Sequence, residues 1–248
     1  MEIAALLFDV NGTVVDIETD EGMEEVYRAI GHFLTYQGIR LHRGEVRELY
    51  FRVMKEQLAG SPEAYPEFDV VLVWKKILEE WASDYTRGLA AEKLRQLPLF
   101  LAEVQRGISR KRLRLFPKVP EVLEQLQLRY RLAIVSDAQS PYARPELRAV
   151  GIHAYFDPII VSGDHGYRKP DARLFQKALE SLRIGPEQAV FIGNDPYRDI
   201  FGARQVGMKT ILFRSSQANG HPGEAEADYV IRDFSELPRA LEYLAARA

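Results

Sequence analysis

The chain has 248 residues, of which 46% are hydrophobic and 28% are charged, and its formal net charge is −3. This composition is ordinary for a globular protein of one or two domains, and the small negative charge gives no general attraction to nucleic acid or to anionic membranes. The chain has no cysteine, which excludes disulfides, thiol catalysis and zinc–thiolate sites. We therefore expect no nucleic-acid partner and no membrane partner.

The N-terminal segment MEIAALLFDVNG carries an acid where a signal peptide has bases, and its apolar run is short. No apolar run elsewhere in the sequence is long enough to span a bilayer. The absence of cysteine is compatible with a reducing compartment. These features favour a cytoplasmic location, while the sequence gives no indication of the oligomeric state.

The first predicted element is a buried β-strand over Ile3–Phe8, a short apolar run that ends at Asp9. From about residue 17 to residue 112 the apolar residues follow helical spacing. The segment AGSPEAYPEF interrupts this pattern, and its Gly, Ser and Pro content predicts a loop. Helices are predicted on either side of it, over GMEEVYRAIGHFLTYQGI, FDVVLVWKKILEEWASDY and AAEKLRQLPLFLAEVQRGI.

After Phe116 short apolar strands alternate with helices. The predicted strands are Leu132–Val135, Pro158–Val161, Ala189–Ile192, Thr210–Phe213 and Tyr229–Ile231. Asp171 is predicted to be the N-cap of the helix that starts ARLFQKAL, and Ser235 the N-cap of a final helix that ends at Ala246. Such alternation of apolar strands and helices predicts a parallel sheet that is covered on both faces.

The predicted fold class is therefore α/β, with a Rossmann-like, doubly wound parallel sheet as its core. The first strand lies at the N-terminus and the other strands follow Phe116, so an insert must separate them. We predict a core domain of residues 1–15 and 113–248 and an inserted all-helical domain of residues 16–112.

Polar residues follow four of the predicted strands, at the carboxyl ends where parallel sheets gather functional groups. A carboxylate there can act as a nucleophile, a hydroxyl and a lysine can hold a tetrahedral anion, and a glycine lets backbone N–H groups approach it. Further acids can hold Mg²⁺, which prefers oxygen ligands and shares them with phosphate. Each residue alone has a plainer interpretation as a turn residue, a helix cap or a solvated charge, but together they predict metal-assisted phosphoryl transfer. The residues are Asp9, Asn11, Gly12, Thr13, Ser136, Asp137, Lys169, Asn194, Asp195 and Asp199.

The amino-acid sequences of four segments, and their order along the chain, resemble the motifs of the haloacid dehalogenase-like hydrolase superfamily. The resemblance covers nearly the whole chain. The segments are FDVNGTVVD, LFPKVPEVLEQLQLRYRLAIVSDA, YFDPIIVSGDHGYRKPDARLF and VFIGNDPYRDIFGARQVGMKTI. The helical insert is similar to that superfamily's all-α cap of the first type.

The resemblance implies a role for each of these residues. Asp9 would be a nucleophile that forms an aspartyl-phosphate, and Lys169 would offset the charge of nucleophile and phosphate. Thr13 and Ser136 would bind the phosphoryl oxygens, and Gly12 and Asp137 would lie beside them in the substrate site. Mg²⁺ would be held by Asp9, by the backbone carbonyl of Asn11 and by the loop that contains Asn194, Asp195 and Asp199.

Two residues depart from the family pattern. The family's phosphatases usually carry a second Asp where this chain has Asn11, and that acid protonates the leaving alkoxide and then activates water. An amide can do neither, and one such group is worth about 10²–10⁴ in rate. Asn11 is therefore a natural attenuation, a sign of different chemistry or an engineered trap. Asn194 replaces an acid of the fourth motif, so whether Asn194, Asp195 or Asp199 binds the metal stays open.

Three functions remain in competition. The leading one is a Mg²⁺-dependent phosphatase of a small phosphorylated metabolite. The second is a metal-independent 2-haloacid dehalogenase, in which Asp9 attacks the carbon that bears the halide. The family's dehalogenases also replace the second acid, which favours this function. However, they generally lack an acidic loop like GNDPYRD, and without a cation the acids of this loop would repel the carboxylate of a 2-haloacid substrate. The third is a non-catalytic protein that binds a phosphorylated ligand.

Overall fold

The computed structural model describes residues 2–217 and 226–247 of the chain. The chain divides into two compact units. The first, here called the sheet unit, comprises Met1–Ile17 and Leu113–Ala248, and the second, here called the helical unit, comprises Glu18–Arg112. The role of the helical unit as a cap over a substrate stays a prediction.

The described part of the chain contains eight strands, which are β1 (Ala5–Phe8), β2 (Val15–Thr19), β3 (Arg110–Leu115), β4 (Arg131–Ser136), β5 (Ile159–Val161), β6 (Ala189–Gly193), β7 (Lys209–Phe213) and β8 (Tyr229–Ile231). Six of them form one parallel sheet, in the order β5-β4-β1-β6-β7-β8, and β2 and β3 pair as a separate two-stranded sheet. This arrangement confirms the predicted α/β fold.

Helices make up most of the remaining structure. None of those in the described part of the chain combines the length and the apolar character needed to cross a membrane. The helical unit contains α1 (Glu24–Tyr36), α2 (Arg43–Ala59), α3 (Val70–Trp81), α4 (Asp84–Arg87) and α5 (Ala91–Ser109). The sheet unit contains α6 (Val119–Leu126), α7 (Ser140–Ala149), α8 (Ala172–Leu182), a π-helical turn (Pro196–Phe201), α9 (Gly202–Gln205) and α10 (Leu237–Ala246).

Each face of the six-stranded sheet carries its own apolar cluster, because successive side chains of a strand point to opposite faces. On β1, Leu6 and Phe8 belong to one cluster, and Ala5 and Leu7 belong to the other. Residues of α6, α7 and α10 complete the first cluster, and residues of α8 and α9 complete the second. The sheet is thus covered on both faces, which explains why its strands are continuous apolar runs.

The register of the parallel strands brings their carboxyl ends to one edge of the sheet. Phe8 of β1 lies opposite both Ile134 of β4 and Ile192 of β6. The N–H of Asp9 continues this pairing and donates to the carbonyl of Ile192 over 2.9 Å. Residues that follow β1, β4 and β6 therefore meet at the same edge.

The stretch from residue 17 to residue 112, predicted as helical throughout, begins and ends in strands. The strands β2 and β3 have the polar sequences VDIET and RKRLRL, which lack the apolar run that marks the strands of the sheet. The sequence analysis also did not delimit α2. Its apolar pattern is weak, since its buried side chains are limited to Val46, Tyr50 and Val53.

One of the two predicted helix caps is correct. Asp171 accepts a hydrogen bond from the backbone N–H of Arg173 and caps α8, as predicted. Ser235 is not the N-cap of the last helix. A 3₁₀ turn over Phe234–Glu236 precedes α10, and Asp233 caps that turn by accepting the N–H of Ser235 over 2.9 Å. The cap is therefore Asp233, and Ser235 contributes a backbone N–H group that this cap accepts.

Trp74 holds three helices of the helical unit together. It is fully buried on α3, and its ring stacks on Tyr50 of α2 with 5.1 Å between centroids. Its Nε1 donates to Oε1 of Gln105 on α5 over 2.9 Å. Because both polar atoms are buried, this hydrogen bond cannot be exchanged for one to water without opening the unit.

Replacing Trp74 by Phe removes the donor and leaves the Gln105 oxygen buried without it. We expect Trp74→Phe to lower the free energy of unfolding by about 1–3 kcal/mol. Trp81 lies seven residues further along the same helix and is 44% exposed, so Trp81→Phe is the matched control, with a change within about 0.5 kcal/mol. Urea unfolding followed by far-UV circular dichroism compares the two, and equal losses would contradict the assigned role.

Candidate active site

Asp9 follows β1 directly, and its buried carboxylate has a separate partner for each oxygen. Oδ1 accepts from Nζ of Lys169 over 2.7 Å, and Oδ2 accepts from the hydroxyl of Thr13 over 3.1 Å. Thr13 reaches it through a tight turn, in which the N–H groups of Thr13, Val14 and Val15 all donate to the carbonyl of Val10. The turn fixes the position of the carboxylate at the edge of the sheet.

Lys169 is buried between two carboxylates. Its Nζ lies 2.7 Å from Oδ1 of Asp9 and 2.6 Å from Oδ1 of Asp199. Burial alone would lower the pKa of Lys169, but the charges of Asp199, Asp9 and Asp137 outweigh it and raise that pKa. Lys169 is therefore an ammonium ion, and the three buried side chains together carry a formal charge of −1 when both acids are ionised.

Asp199 is tied to the backbone as well as to Lys169. Its Oδ2 accepts the N–H groups of Asn194 and Asp195 over 3.0 and 2.9 Å. Burial raises the pKa of the Asp199 carboxyl, and Lys169 and the two backbone donors oppose that rise. Both oxygens of Asp199 are thus engaged within the protein, although the sequence analysis placed this residue among the metal ligands.

Asp195, another predicted metal ligand, caps the π-helical turn that follows it. Its Oδ1 accepts the N–H groups of Tyr197 and Arg198, each over 2.9 Å. Its Oδ2 lies 3.5 Å from Nε of Arg198. Both oxygens of Asp195 thus have local partners, and its assignment to a metal stays a prediction.

The side chain of Asn194, in the same loop, approaches Thr13, which bonds Asp9. It is buried, and its Oδ1 lies 3.2 Å from the hydroxyl oxygen of Thr13. Gly12 makes this approach possible, because a Cβ at residue 12 would lie 2.4 Å from Nδ2 of Asn194. Gly12 also has φ +84°, a conformation that favours glycine. Two features of the turn therefore require glycine at this position.

Ser136 ends β4 with a buried hydroxyl that has no hydrogen-bond partner among the described residues. A buried polar group of this kind needs a partner, and a ligand oxygen would supply one. Ser136 does not cap the following helix, since the N-cap of α7 is Gln139.

Asp137, the next residue, accepts the backbone N–H of Lys169 over 2.9 Å and so positions the lysine. Burial raises the pKa of the Asp137 carboxyl, and Lys169 opposes this. Its Oδ2 lies 3.8 Å from Nη1 of Arg198. The sequence predicted that Asp137 lies in the substrate site, but its hydrogen bond from the backbone N–H of Lys169 was not predicted.

Asn11 is half-buried in the turn after Asp9, and its side chain takes part in none of the hydrogen bonds among the described residues.

Taken together, these contacts bring Asp9, Gly12, Thr13, Lys169 and Asn194 into one connected group. The catalytic and binding roles assigned to these residues from the sequence stay predictions.

Comparisons with known proteins agree with the fold and show the family. A model of the haloacid dehalogenase-like hydrolases matches residues 3–207, and the chain belongs to this family. A glyceraldehyde 3-phosphate phosphatase of Methanothermobacter thermautotrophicus is 36% identical over 139 residues, which are 52% of this chain and 59% of that protein. The protein with the same name from Methanopyrus kandleri is 27% identical over 244 residues, 98% of this chain and 96% of its own length.

Among solved structures, a 2-haloacid dehalogenase from Pseudomonas syringae pv. Tomato DC3000 aligns with a TM-score of 0.69. The alignment covers 97% of this chain and 99% of that one, at 23% identity. At this identity the similarity shows the fold alone. The chain spans about half the length of the first three curated relatives that it matches.

The family implies Mg²⁺, and the donor atoms allow a test of whether the residues fit this ion. Among the described residues, no group of three or more His, Asp or Glu side chains could hold a metal. The neutral oxygens that the resemblance or the structure associates with Asp9 are the backbone carbonyl of Asn11, implied by the family, and Oδ1 of Asn194, which lies 3.2 Å from the Thr13 hydroxyl that bonds Asp9. A single carboxylate with neutral oxygens fits Mg²⁺, which commonly keeps waters and shares ligands with a substrate phosphate. It does not fit a metal that requires a closed set of charged side chains.

Lys169→Met should destabilise the protein, because it leaves the buried carboxylates of Asp9 and Asp199 without a cation. We expect a loss of about 3–5 kcal/mol in the free energy of unfolding near neutral pH. The folded variant then takes up protons that its unfolded chain does not, so its deficit should shrink as the pH is lowered. Lys118→Met, which removes a lysine that is 58% exposed, is the control. Denaturant unfolding across a pH series measures both, and a pH-independent deficit would contradict the buried-charge explanation.

Proposed function

We propose that this protein is a Mg²⁺-dependent phosphatase that acts on a small phosphorylated metabolite through an aspartyl-phosphate on Asp9. One observation carries the proposal: the buried Asp9 carboxylate is held 2.7 Å from the Lys169 ammonium, at the sheet edge where the Ser136 hydroxyl lacks a partner. The phosphatase names of the two aligned relatives support the same chemistry.

The reaction takes place in two displacements at phosphorus. In the first, a carboxylate oxygen of Asp9 forms a bond to phosphorus while the bond from phosphorus to the ester oxygen breaks, and the leaving oxygen takes up a proton from solvent water. In the second, water attacks the phosphorus of the aspartyl-phosphate and passes a proton to solvent while the bond from phosphorus to the Asp9 oxygen breaks, which releases inorganic phosphate and the free carboxylate. Each displacement develops charge on the phosphoryl oxygens, which fixed donors stabilise.

The surrounding side chains supply these donors. The Lys169 ammonium offsets the negative charge that accumulates when a phosphate ester meets the Asp9 carboxylate. The hydroxyl of Ser136 is free to donate to a phosphoryl oxygen, and that of Thr13 already lies beside Asp9. Asp199 keeps Lys169 charged and in place without contacting the substrate itself.

Asp9, the backbone carbonyl of Asn11 and Oδ1 of Asn194 are the protein oxygens that would hold Mg²⁺. When bound, the ion would neutralise charge on the phosphate and help to orient it. Asn194 contributes no charge to this set, so the site carries less negative charge than one with an acid at that position. We expect metal binding to be correspondingly weaker in the absence of a phosphorylated ligand.

One observation favours a second candidate. Asn11 cannot act as a general acid or base, and a 2-haloacid dehalogenase needs no such group to protonate a leaving halide. In that reaction Asp9 would attack the carbon that bears the halogen, release halide and form an ester that water hydrolyses. The extra acids of the Asp195–Asp199 loop disfavour the carboxylate that such a substrate carries.

Two assays of the purified protein test the proposed function. Hydrolysis of an aryl phosphate should require Mg²⁺, stop when the metal is chelated, and be abolished by Asp9→Asn. Halide release from a 2-chloro acid should not occur. If chelator leaves turnover unchanged and halide appears, the dehalogenase is the correct function. If neither product forms but a phosphate ester binds measurably, the protein is a non-catalytic phosphate binder.

Asn11 should slow the breakdown of the aspartyl-phosphate more than its formation. Formation from an aryl phosphate needs little leaving-group protonation, whereas attack by water needs a base that the amide cannot supply. We expect a burst of leaving group followed by slow turnover, and we expect Asn11→Asp to raise the steady rate by about 10²–10⁴.

The gain should be larger for poor leaving groups such as sugar alkoxides, because their departure also needs a proton. Rapid-mixing kinetics with an aryl and a sugar phosphate separates the two phases. A steady rate that stays the same or falls in Asn11→Asp would show that residue 11 has another role, such as orienting a substrate group with its amide.

A further inference from the structure

An asparagine that replaces an acid must be held in one orientation. A carboxylate presents an acceptor oxygen at either end, whereas an amide presents an acceptor at Oδ1 and a donor at Nδ2. If the amide of Asn194 turned by half a revolution, its NH₂ group would face Thr13 in place of Oδ1. An NH₂ group there could not ligate a cation.

The backbone carbonyl of Gln217 determines which orientation Asn194 adopts. Nδ2 of Asn194 donates to this carbonyl over 3.1 Å, and Oδ1 then lies 3.2 Å from the hydroxyl oxygen of Thr13. A reversed amide would place its oxygen against the carbonyl oxygen of Gln217, which repels it. The close fit of Asn194 against Gly12 leaves little room for an intermediate position.

The side chain of Gln217 in turn anchors its own backbone. Nε2 donates to the carbonyl of Ile17 over 2.5 Å, and Oε1 accepts the N–H of Ile17 over 3.4 Å. These two hydrogen bonds attach the Gln217 side chain to the backbone of a single residue of β2, Ile17. Both residues belong to the sheet unit. A second contact, from the N–H of Gln217 to Oγ of Ser215 over 3.3 Å, closes the local turn.

We propose that Gln217 is a positioning residue that keeps Oδ1 of Asn194 turned toward Thr13, on the side of Asp9. It acts by fixing the carbonyl that receives Nδ2, and its hydrogen bonds within the described part of the chain do not include Asp9. The consequence for metal binding rests on the proposed function, whereas the orientation of the amide does not depend on it.

The first test measures metal binding directly, with Mn²⁺ as the probe and electron paramagnetic resonance as the readout. Loss of a residue that orients a metal ligand usually lowers affinity by about 10–100-fold, and we expect such a loss in Gln217→Ala. Gln188→Ala is the matched control. Its side chain also bonds a backbone N–H, that of Gly185, but at the opposite end of β6. The control should bind Mn²⁺ as the parent does.

A double-mutant cycle separates orientation from general damage. In an Asn194→Asp background both ends of the side chain are oxygen, so Gln217→Ala should no longer weaken Mn²⁺ binding. The same fractional loss in both backgrounds would overturn the proposal, because it would show that Gln217 supports the loop rather than the amide.

The second test does not involve metal. The side-chain amide protons of Asn194, followed by NMR in ¹⁵N-labelled protein, should exchange slowly with solvent in the parent and faster in Gln217→Ala. Equal exchange rates would overturn the inference. If the parent binds no Mn²⁺ but the exchange rates differ as expected, the metal part of the proposed function fails and the positioning role of Gln217 stands.

Discussion

The buried contact of one ammonium with two carboxylates is the constraint on which the rest of the site depends. The carboxylates of Asp9 and Asp199 offset the cost of burying the Lys169 ammonium, and Lys169 in turn offsets their negative charge. The backbone enforces the contact from both sides. Asp137 holds the main chain at Lys169, and two N–H groups of the loop after β6 hold Asp199. Three strand ends are thus joined through a single nitrogen atom.

The three acidic residues Asp9, Asp195 and Asp199 make different kinds of contact in this arrangement. Asp199 and Asp195 satisfy donors within the protein, the first for Lys169 and the loop, the second for the π-helical turn. Asp9 differs from both, because its oxygens accept from a lysine and a hydroxyl of side chains and not from backbone N–H groups. The neighbouring Asn194 adds no charge to the site. If the proposed function holds, Asp9 is the carboxylate that reacts with the substrate.

Much of this could be predicted from the sequence, since the relevant signals are local and strong. The apolar runs of the sheet mark the strands, and the rule that parallel strands end at one edge brings together Asp9, Ser136 and Lys169. The polar strands β2 and β3 escaped detection because neither has such a run. The backbone donors that contact the oxygens of Asp195 and Asp199 could not be predicted, because sequence does not show which N–H groups lie near a carboxylate, and whether either residue binds a metal stays a prediction. Gln217 gave no signal, since it lies in irregular structure 23 residues from its partner.

The packing of β1 has a consequence for the position of Asp9. The four residues of β1 alternate between two apolar clusters, Leu6 and Phe8 on one face and Ala5 and Leu7 on the other. A slip of one residue along the neighbouring strands would exchange the small and large side chains between faces and move Asp9 by about 3.3 Å. The difference in side-chain size between the two faces therefore favours a single register of β1. Steric packing in the core thus helps to determine where the Asp9 carboxylate lies, in addition to its polar contacts.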